Sequence, residues 1–418
     1  MHLSAHLDLD VLAHETDDQL SVLVELAAPE QAVDADRAQS TLVVVLDRSG
    51  SMAGPRLEQA KAALTALVDQ LDPHDRFGLV TFDQHTTVAV PAGALTDKPT
   101  VRRAIAQVHP GGSTDLSGGY LRGLQEAARG STGAGATVLL ISDGHANAGL
   151  TDPVQLTGLA HRAQTDAITT STLGMGLGYD ERLLSAIASG GAGNEHFAET
   201  ADEAGKLIAG EVDGLLALVS QAGSLRVRMA PQVRAVRVIN DLSVVALPDG
   251  IMIELGAFYA GETRKLIMTF DVPGVPCLGL AEIATLTFTY LALPALVQQT
   301  VTLPLYVNVV PGDQAAGRIP DPVVRTESAF QLAQQAKRVA SVALSDGDPG
   351  AAAGALARAR TLLRAAGAGA PAPMAAELKE ELQLVDRLTH EAAYGDVTRA
   401  AKLSSADAAF KSRTRGRR

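Results

Sequence analysis

A short stretch near residue 45 constrains the fold of this chain more than any other. Residues 41–46 read Thr-Leu-Val-Val-Val-Leu and run directly into an Asp-x-Ser-x-Ser motif formed by Asp47, Ser49 and Ser51. A continuous apolar run that ends at a turn is typical of a strand buried on both faces. Residues 55–71 follow with apolar side chains at spacings of three and four, which predicts a helix. The motif therefore lies at the carboxyl end of a strand, where open α/β sheets bind ligands.

The spacing of the motif has a chemical meaning. Alternate residues of a nearly extended loop point the same way, so one carboxylate and two hydroxyls are expected to converge on one point. Oxygen ligands without Cys or His suit Mg²⁺, Mn²⁺ or Ca²⁺ rather than Zn²⁺ or Cu²⁺. Taken alone, the motif also fits a turn that caps the next helix.

Two later stretches favour the metal interpretation. Gly111 and Gly112 open a glycine loop that presents the hydroxyl of Thr114. Residues 137–142 form a second apolar run, which predicts another buried strand, and it ends at Asp143 followed by glycine. If the two strands lie side by side, Asp47 and Asp143 meet at one edge of the sheet. Their mutual repulsion would raise the pKa of one of them in the absence of metal.

Together these stretches resemble a known family. DRSGSM at 47–52, GGSTDLS at 111–117 and ISDGHANAG at 141–149 are similar to the motifs of the von Willebrand factor A domain with a metal-ion-dependent adhesion site. The resemblance covers residues 38–220. It implies that the metal ligands are Asp47, Ser49, Ser51, Thr114 and Asp143.

The resemblance also implies a function. The expected cofactor is Mg²⁺, with Mn²⁺ or Ca²⁺ as alternatives, and a Glu or Asp of another protein would complete the coordination shell. Partner binding would accompany a shift of a closing helix, predicted here over residues 201–220. Family context suggests an AAA-plus ATPase or a stress-system component as the partner.

The rest of the chain predicts three further regions. Strands and helices alternate through 38–220, which indicates an α/β domain with a doubly wound, mostly parallel sheet. Residues 222–310 alternate with period two, as in an antiparallel β-sandwich. Two N-terminal strands within 1–30, joined by a turn at 14–18, are expected to complete that sandwich, so that the α/β domain is inserted into it. Residues 323–411 predict a helical domain, and 412–418 a solvated basic tail.

Composition narrows the functional classes. The 418-residue chain has a net charge of −12, which argues against broad nucleic-acid binding. Its single cysteine, Cys277, excludes a disulfide within the chain. We expect a cytoplasmic protein that does not bind membranes, because the sequence shows neither a signal-peptide pattern nor a long apolar run. Richness in Ala, Gly and Arg suggests a bacterium with GC-rich DNA.

Other functions stay open at this stage. A metal can activate water, and His145 is the obvious candidate for the base of a hydrolase. A purely structural metal in a scaffold is another alternative. The glycines of residues 174–178 lack the full dinucleotide-binding pattern. His2 and His6 share a strand face, but the sequence offers no further ligand near them.

Overall fold

The computed structural model describes residues 1–30, 39–131 and 135–413. Within these residues the chain forms sixteen strands. They are β1 (His2–Leu7), β2 (Val11–Ala13), β3 (Asp18–Ala27), β4 (Thr41–Asp47), β5 (Arg76–Phe82), β6 (Thr86–Ala94), β7 (Ala136–Ser142), β8 (Ile168–Met175), β9 (Ala192–Ala198), β10 (Leu218–Met229), β11 (Ala235–Val238), β12 (Val244–Leu247), β13 (Gly250–Tyr259), β14 (Thr263–Val272), β15 (Gly279–Ala292) and β16 (Val297–Val310).

Helices follow most strands of the first half and occupy the end of the chain. They are α1 (Pro55–Gln70), α2 (Lys98–Ala106), α3 (Leu116–Gly130), α4 (Pro153–Thr165), α5 (Glu181–Gly190), α6 (Ala201–Leu216), α7 (Gly312–Ala315), α8 (Pro322–Ser345), α9 (Pro349–Gly367), α10 (Ala372–Tyr394) and α11 (Val397–Arg413). No helix of the described residues combines the length and the apolar character needed to cross a membrane.

The central sheet has the order β6-β5-β4-β7-β8-β9. Its pairs are parallel except β5–β6, which is antiparallel. Every residue of β4 is buried, as expected of a strand covered on both faces. Apolar side chains of α1, α2 and α6 pack on one face of the sheet, and those of α3, α4 and α5 pack on the other. The prediction of a doubly wound, mostly parallel sheet is confirmed.

The closing helix is shorter than predicted. The sequence suggested helix over 201–220, but α6 ends at Leu216 and β10 begins at Leu218. Leu218 is opposite Tyr259 of β13, and Ser220 is opposite Ala292 of β15. Pairing with strands distant in the sequence therefore overrides the local helical pattern of residues 218–220.

Two further sheets enclose a separate apolar core. One has the order β1-β3-β14-β11 and the other β12-β13-β10-β15-β16-β2. Their inward side chains form one cluster that includes Leu20, Val227 and Phe288. The first predicted strand in fact divides, because β1 joins one sheet and β2 joins the other. Asp8 marks the division: its carboxylate accepts a hydrogen bond from the Ser21 N–H at 2.8 Å.

The C-terminal helices pack around their own apolar cluster. The sequence indicated breaks near residues 345–350 and 367–373, but it missed the one between α10 and α11. Part of the predicted basic tail is helical, since α11 extends to Arg413. Ser412 accepts a hydrogen bond from the Asp241 N–H at 2.7 Å, and Arg413 donates to the Ala188 carbonyl at 3.1 Å. Residues 414–418 lie outside the described residues, as does the predicted domain start at residue 38.

Candidate metal centre

Two carboxylates lie buried at the carboxyl ends of neighbouring strands. Asp47 ends β4, and Asp143 directly follows β7. The two strands are paired in parallel, with Leu46 opposite Ile141, which brings their ends to the same edge of the sheet. Asp47 is 0% exposed and Asp143 is 1% exposed. Buried carboxylates need hydrogen-bond donors or cations around them.

Asp47 is fixed in place by donors from both strand ends. The Ser142 hydroxyl donates to its Oδ2 at 2.6 Å, and the Ser49 N–H donates to its Oδ1 at 2.7 Å. Ser142 was missed as a positioning residue in the sequence, although its place directly before Asp143 was a usable signal. These two bonds leave Asp47 with a defined orientation at the strand edge.

The two serines of the motif lie side by side. The Oγ atoms of Ser49 and Ser51 are 3.1 Å apart. The Ser51 hydroxyl also donates to Oδ1 of Asp143 at 2.7 Å. A single 3₁₀ turn, Gly50–Met52, carries Ser51, and the buried side chain of Met52 anchors that turn in the core. The spacing of the motif thus brings both hydroxyls to the side of the carboxylates.

Thr114 reaches the same place from the glycine loop. Its N–H donates to Oδ1 of Asn147 at 2.9 Å, and the Asn147 N–H donates to the Thr114 carbonyl at 3.2 Å. The Gly50 N–H donates to the Gly112 carbonyl at 2.9 Å. The glycine loop is therefore joined by backbone hydrogen bonds to both of the loops that carry the carboxylates.

Asp83 explains why the loop begins with glycine. A Cβ placed on Gly111 would lie 1.8 Å from Oδ2 of Asp83, so no side chain fits there. Asp83 forms an ion pair with Arg48 at 3.1 Å and accepts a hydrogen bond from the Gly112 N–H at 3.3 Å. Its own charge is thus matched. Asp83 and Asn147 are supporting residues that the sequence patterns did not single out.

The candidate ligands surround one point beside Gly144. A Cβ placed on Gly144 would lie 3.2 Å from Oγ of Ser51, 3.3 Å from Oγ1 of Thr114 and 3.9 Å from Oδ2 of Asp47. The Asp47 and Ser51 oxygens belong to the end of β4 and the turn that follows it, and the Thr114 oxygen belongs to the glycine loop. With the bonds that link Ser49 and Asp143 to Ser51, all five predicted site residues come together. A small space lined by oxygens is the kind of site that suits a hard divalent cation.

Burial controls the protonation of Asp47. Burial raises the pKa of Asp47 above its ordinary value, while hydrogen bonds from Ser142 and Ser49 partly offset the rise, and the charge of Asp143 contributes least. From the sequence, we predicted a raised pKa for one of the two aspartates because of repulsion between their carboxylates. The larger cause is the removal of Asp47 from water.

Arg56 is an unforeseen member of the cluster. It lies in the first turn of α1, and its Nη1 is 2.6 Å from Oδ2 of Asp143. The sequence gave no signal for this contact, because it joins residues 87 positions apart. Asp143 is thus paired with a guanidinium, whereas Asp47 accepts hydrogen bonds from Ser49 and Ser142.

The other sequence candidates lie apart from this oxygen cluster. His145 Nδ1 is 3.8 Å from Oδ2 of Asp180, and the His145 side chain is 70% exposed. His2 and His6 are both exposed on β1. No group of three or more His, Cys, Asp or Glu in the described residues could hold a metal ion. A metal site formed around Asp47 and Asp143 would therefore need hydroxyl ligands as well.

Comparison with known proteins identifies the domain that carries the site. Residues 41–209 match the sequence model of the von Willebrand factor type A domain. This chain contains a von Willebrand factor type A domain. The matched range holds β4 to β9 and all five candidate ligands.

Sequence relatives of the A domain include a bacterial protein. The chain is 30% identical over 195 residues to the uncharacterized protein YfbK of Escherichia coli. That alignment covers 46% of this chain and 34% of YfbK, so the chain spans about a third of that relative's length.

Solved structures extend the likeness beyond the A domain. A von Willebrand factor type A protein from Catenulispora acidiphila matches with a TM-score of 0.77 at 16% identity, over 99% of this chain and 96% of that one. The ArnB paralog VWA2 from Sulfolobus acidocaldarius matches with a TM-score of 0.67 at 14% identity, over 99% of both chains. At these identities the likeness concerns the fold alone, and it includes the sheets and helices outside the A domain.

Proposed function

We propose that this protein is a metal-dependent interaction module that binds a carboxylate of a partner protein. One observation carries the proposal: oxygens of Ser51, Thr114 and Asp47 surround the point beside Gly144, next to the buried carboxylate of Asp143, which pairs with Arg56. Such an arrangement supplies oxygen ligands and negative charge for a divalent cation. The proposed ligands are Asp47, Ser49, Ser51, Thr114 and Asp143.

The ligand chemistry favours Mg²⁺, with Mn²⁺ or Ca²⁺ as alternatives. Hydroxyl and carboxylate oxygens suit these hard cations, and Mg²⁺ usually keeps part of its shell for water or for an incoming ligand. When bound, the cation would supply that open position to a Glu or Asp of the partner. Asp47 and Asp143 would provide the charge, and the hydroxyls of Ser49, Ser51 and Thr114 would complete the protein side of the shell.

The protein's own hydrogen bonds support a site that is already arranged before loading. The Ser51 oxygen has lone pairs that can bind a cation while the hydroxyl group still donates its hydrogen bond to Asp143 at 2.7 Å. Ser49 binds Asp47 through its backbone N–H, and its hydroxyl pairs with that of Ser51 at 3.1 Å, which still leaves lone pairs on the Ser49 oxygen for a cation. A preformed arrangement reduces the entropic cost of binding.

We further infer that the A domain is inserted in a β-sandwich and is followed by a helical domain that contacts it. In α11, Lys402 donates to Glu181 at 2.6 Å and Ser405 donates to Glu195 at 2.8 Å. Arg338 of α8 pairs with Glu195 at 3.1 Å. The edge strand β9 and helix α5 therefore contact the C-terminal helices directly.

A hydrolytic role receives no support from a specific observation. His145 lies beside Asp180 in an exposed position. A base must come within hydrogen-bond reach of the attacking water. We therefore keep binding as the proposed function.

The test compares two glycine variants in a pulldown. Gly144→Ala places a methyl group 3.2 Å from Ser51 Oγ, at the proposed metal position, without changing any charge. Gly158→Ala is the matched control, because nothing lies within 4 Å of its added methyl group. The full chain should capture a partner with Mg²⁺ but not with EDTA, and Gly144→Ala should lose it while Gly158→Ala keeps it.

The same proteins in all four samples would contradict the proposal. An AAA-plus ATPase or a stress-system component, the partner classes suggested by the sequence resemblance, would be recognised among the metal-dependent bands. Replacing the partner's contacting Glu or Asp by its amide should abolish capture.

A further inference from the structure

Arg56 is placed against the usual electrostatic preference of a helix. It is the second residue of the 16-residue helix α1, where the macrodipole disfavours a positive charge. Its side chain instead turns to the metal centre, with Nη1 2.6 Å from Asp143 Oδ2 and 3.5 Å from the Ser51 carbonyl. The position is therefore explained by the site rather than by helix stability.

The loop after β8 leaves space for the Arg56 side chain at this edge of the sheet. A Cβ on Gly176, in the loop after β8, would lie 2.6 Å from Nη2 of Arg56. Gly176 has a φ of +71°, a conformation that side chains other than glycine rarely adopt. The absence of a side chain at Gly176 leaves room for the guanidinium between two of the loops at the strand ends.

The guanidinium remains partly accessible. The Arg56 side chain is 41% exposed, whereas its partner Asp143 is fully buried. Within the described residues, the hydrogen bonds of Arg56 use Nη1. Nε and Nη2 therefore remain as donors for a ligand, and a guanidinium edge is well matched to a carboxylate.

The charge balance then has two consequences. Asp47, Asp143 and Arg56 together carry one net negative charge. A divalent cation changes that sum to one net positive charge. Without Arg56, the same cation would bind beside two negative charges, and the loaded site would be neutral. Arg56 thus opposes cation binding and favours the later arrival of an anion.

We propose that Arg56 is a specificity-determining residue that weakens divalent-cation binding and strengthens carboxylate binding at the loaded site. This inference rests on the proposed function of the metal centre. Arg56 acts through its fixed charge and through its donors Nε and Nη2. It makes carboxylate, rather than a neutral amide or hydroxyl, the preferred group of the partner.

The experiment measures two affinities of the full-length chain. Calorimetry gives the affinity for Mg²⁺ alone. With Mn²⁺ bound, water-proton relaxation gives the affinity for N-acetylglutamate N-methylamide, and the corresponding glutamine compound is the neutral comparison. The variants are Arg56→Gln, which removes the charge, and Arg56→Lys, which keeps it. Arg102→Gln is the matched control, since Arg102 is 43% exposed in an ion pair with Asp69 on the protein surface.

The two affinities should move in opposite directions. In Arg56→Gln, Mg²⁺ should bind on the order of tenfold more tightly, and the glutamate probe should bind several-fold more weakly, with no change for the glutamine compound. Arg56→Lys and Arg102→Gln should stay near the original chain in Mg²⁺ affinity. Opposite changes of this kind do not arise from a general loss of folding.

Two results would overturn the inference, and they are distinguishable. If Arg56→Gln leaves both affinities unchanged or lowers both, Arg56 does not have this role, while the metal centre stands. If the original chain binds no Mg²⁺ or Mn²⁺, the proposed function itself fails, and the inference fails with it.

Discussion

Two buried clusters of charge in this protein differ in how completely they are neutralised. At the strand ends, Asp47 and Asp143 are buried, and the partly exposed Arg56 pairs with Asp143. Among the C-terminal helices, Lys337 and Lys411 form ion pairs with two carboxylates, those of Glu381 and Asp407. The helical cluster has matched charges, whereas the strand-end cluster has an excess of negative charge.

The difference in charge balance distinguishes a candidate binding site from a structural network. Lys337 is 0% exposed, and its ammonium contacts Glu381 at 2.6 Å as well as Gln334 at 2.8 Å. Nothing further is needed to neutralise that network. The strand-end cluster instead keeps an excess of negative charge that an additional cation would offset. We therefore expect substitutions in the helices to change stability and substitutions at the strand ends to change metal binding.

The largest expected effect is on the helical network. Lys337→Met leaves Glu381 and Asp407 with only Lys411, so the free energy of unfolding should fall by about 3 kcal/mol. Urea unfolding followed by circular dichroism, with EDTA present, would measure the loss. Mg²⁺ affinity should stay unchanged. A variant as stable as the original chain would show that the network is not a structural counterpart to the metal centre.

The second-largest expected effect is on the strand-end cluster. Asp47→Asn removes one ligand charge, so Mg²⁺ affinity should fall about 100-fold in calorimetry. Stability in EDTA should stay the same or rise, because burial of the Asp47 charge is unfavourable and raises its pKa. A loss of stability comparable to that of Lys337→Met, with metal affinity intact, would reverse the comparison.

Acid should affect the helical network in a defined pH range. Burial alone would raise the pKa of Glu381, but the charges of Lys337 and Lys411 outweigh it and lower the pKa from 4.5 to about 2. A carboxyl whose pKa is lower in the folded state contributes stability above its unfolded value and loses it on acidification. This contribution should therefore decline from pH 4.5 towards pH 2.

Melting temperatures between pH 6 and about pH 2.5 would measure that decline. Glu381→Gln should be less stable than the original chain at pH 6 and should lose less on acidification. Parallel curves for the two proteins would contradict a lowered pKa at Glu381.

The smallest expected effect is on an exposed ion pair, which serves as the reference for the two buried clusters. Arg182 and Asp346 form an ion pair whose side chains are 48% and 54% exposed. Arg182→Ala should change the free energy of unfolding by about 0.5 kcal/mol or less, because water already screens this pair. Urea unfolding under the same conditions is the measurement. A loss as large as that of Lys337→Met would mean that burial does not distinguish these pairs.

There is a physical reason why the sequence predicted the A domain and the proximity of the five candidate residues. Parallel strands bring their carboxyl ends to one edge, so the Asp47 loop and Asp143 had to be close once their strands were neighbours. The local spacing of Ser49 and Ser51 then placed the hydroxyls. These features depend on the position and direction of the strands, which the hydrophobic pattern of the sequence predicts.

Other features depend on contacts between distant residues. Arg56 reaches Asp143 through a long side chain, and no local pattern encodes its direction. The end of α6 at Leu216 follows from the pairing of the next residues with β13 and β15. The division of the N-terminal strand likewise depends on which sheet each half joins. Such outcomes are set by tertiary packing rather than by the period of the sequence.

The most direct test of the account is the binding of Mg²⁺ to the full-length chain by calorimetry, before and after the double substitution Ser49→Ala and Ser51→Ala. We predict saturable binding of one cation by the original chain and its loss in the variant. The variant should remain folded in EDTA, with some loss of stability because it lacks the Ser51 hydrogen bond to buried Asp143. Absence of binding by the original chain, or equal binding by both proteins, would contradict the assignment of the strand-end cluster as a metal centre.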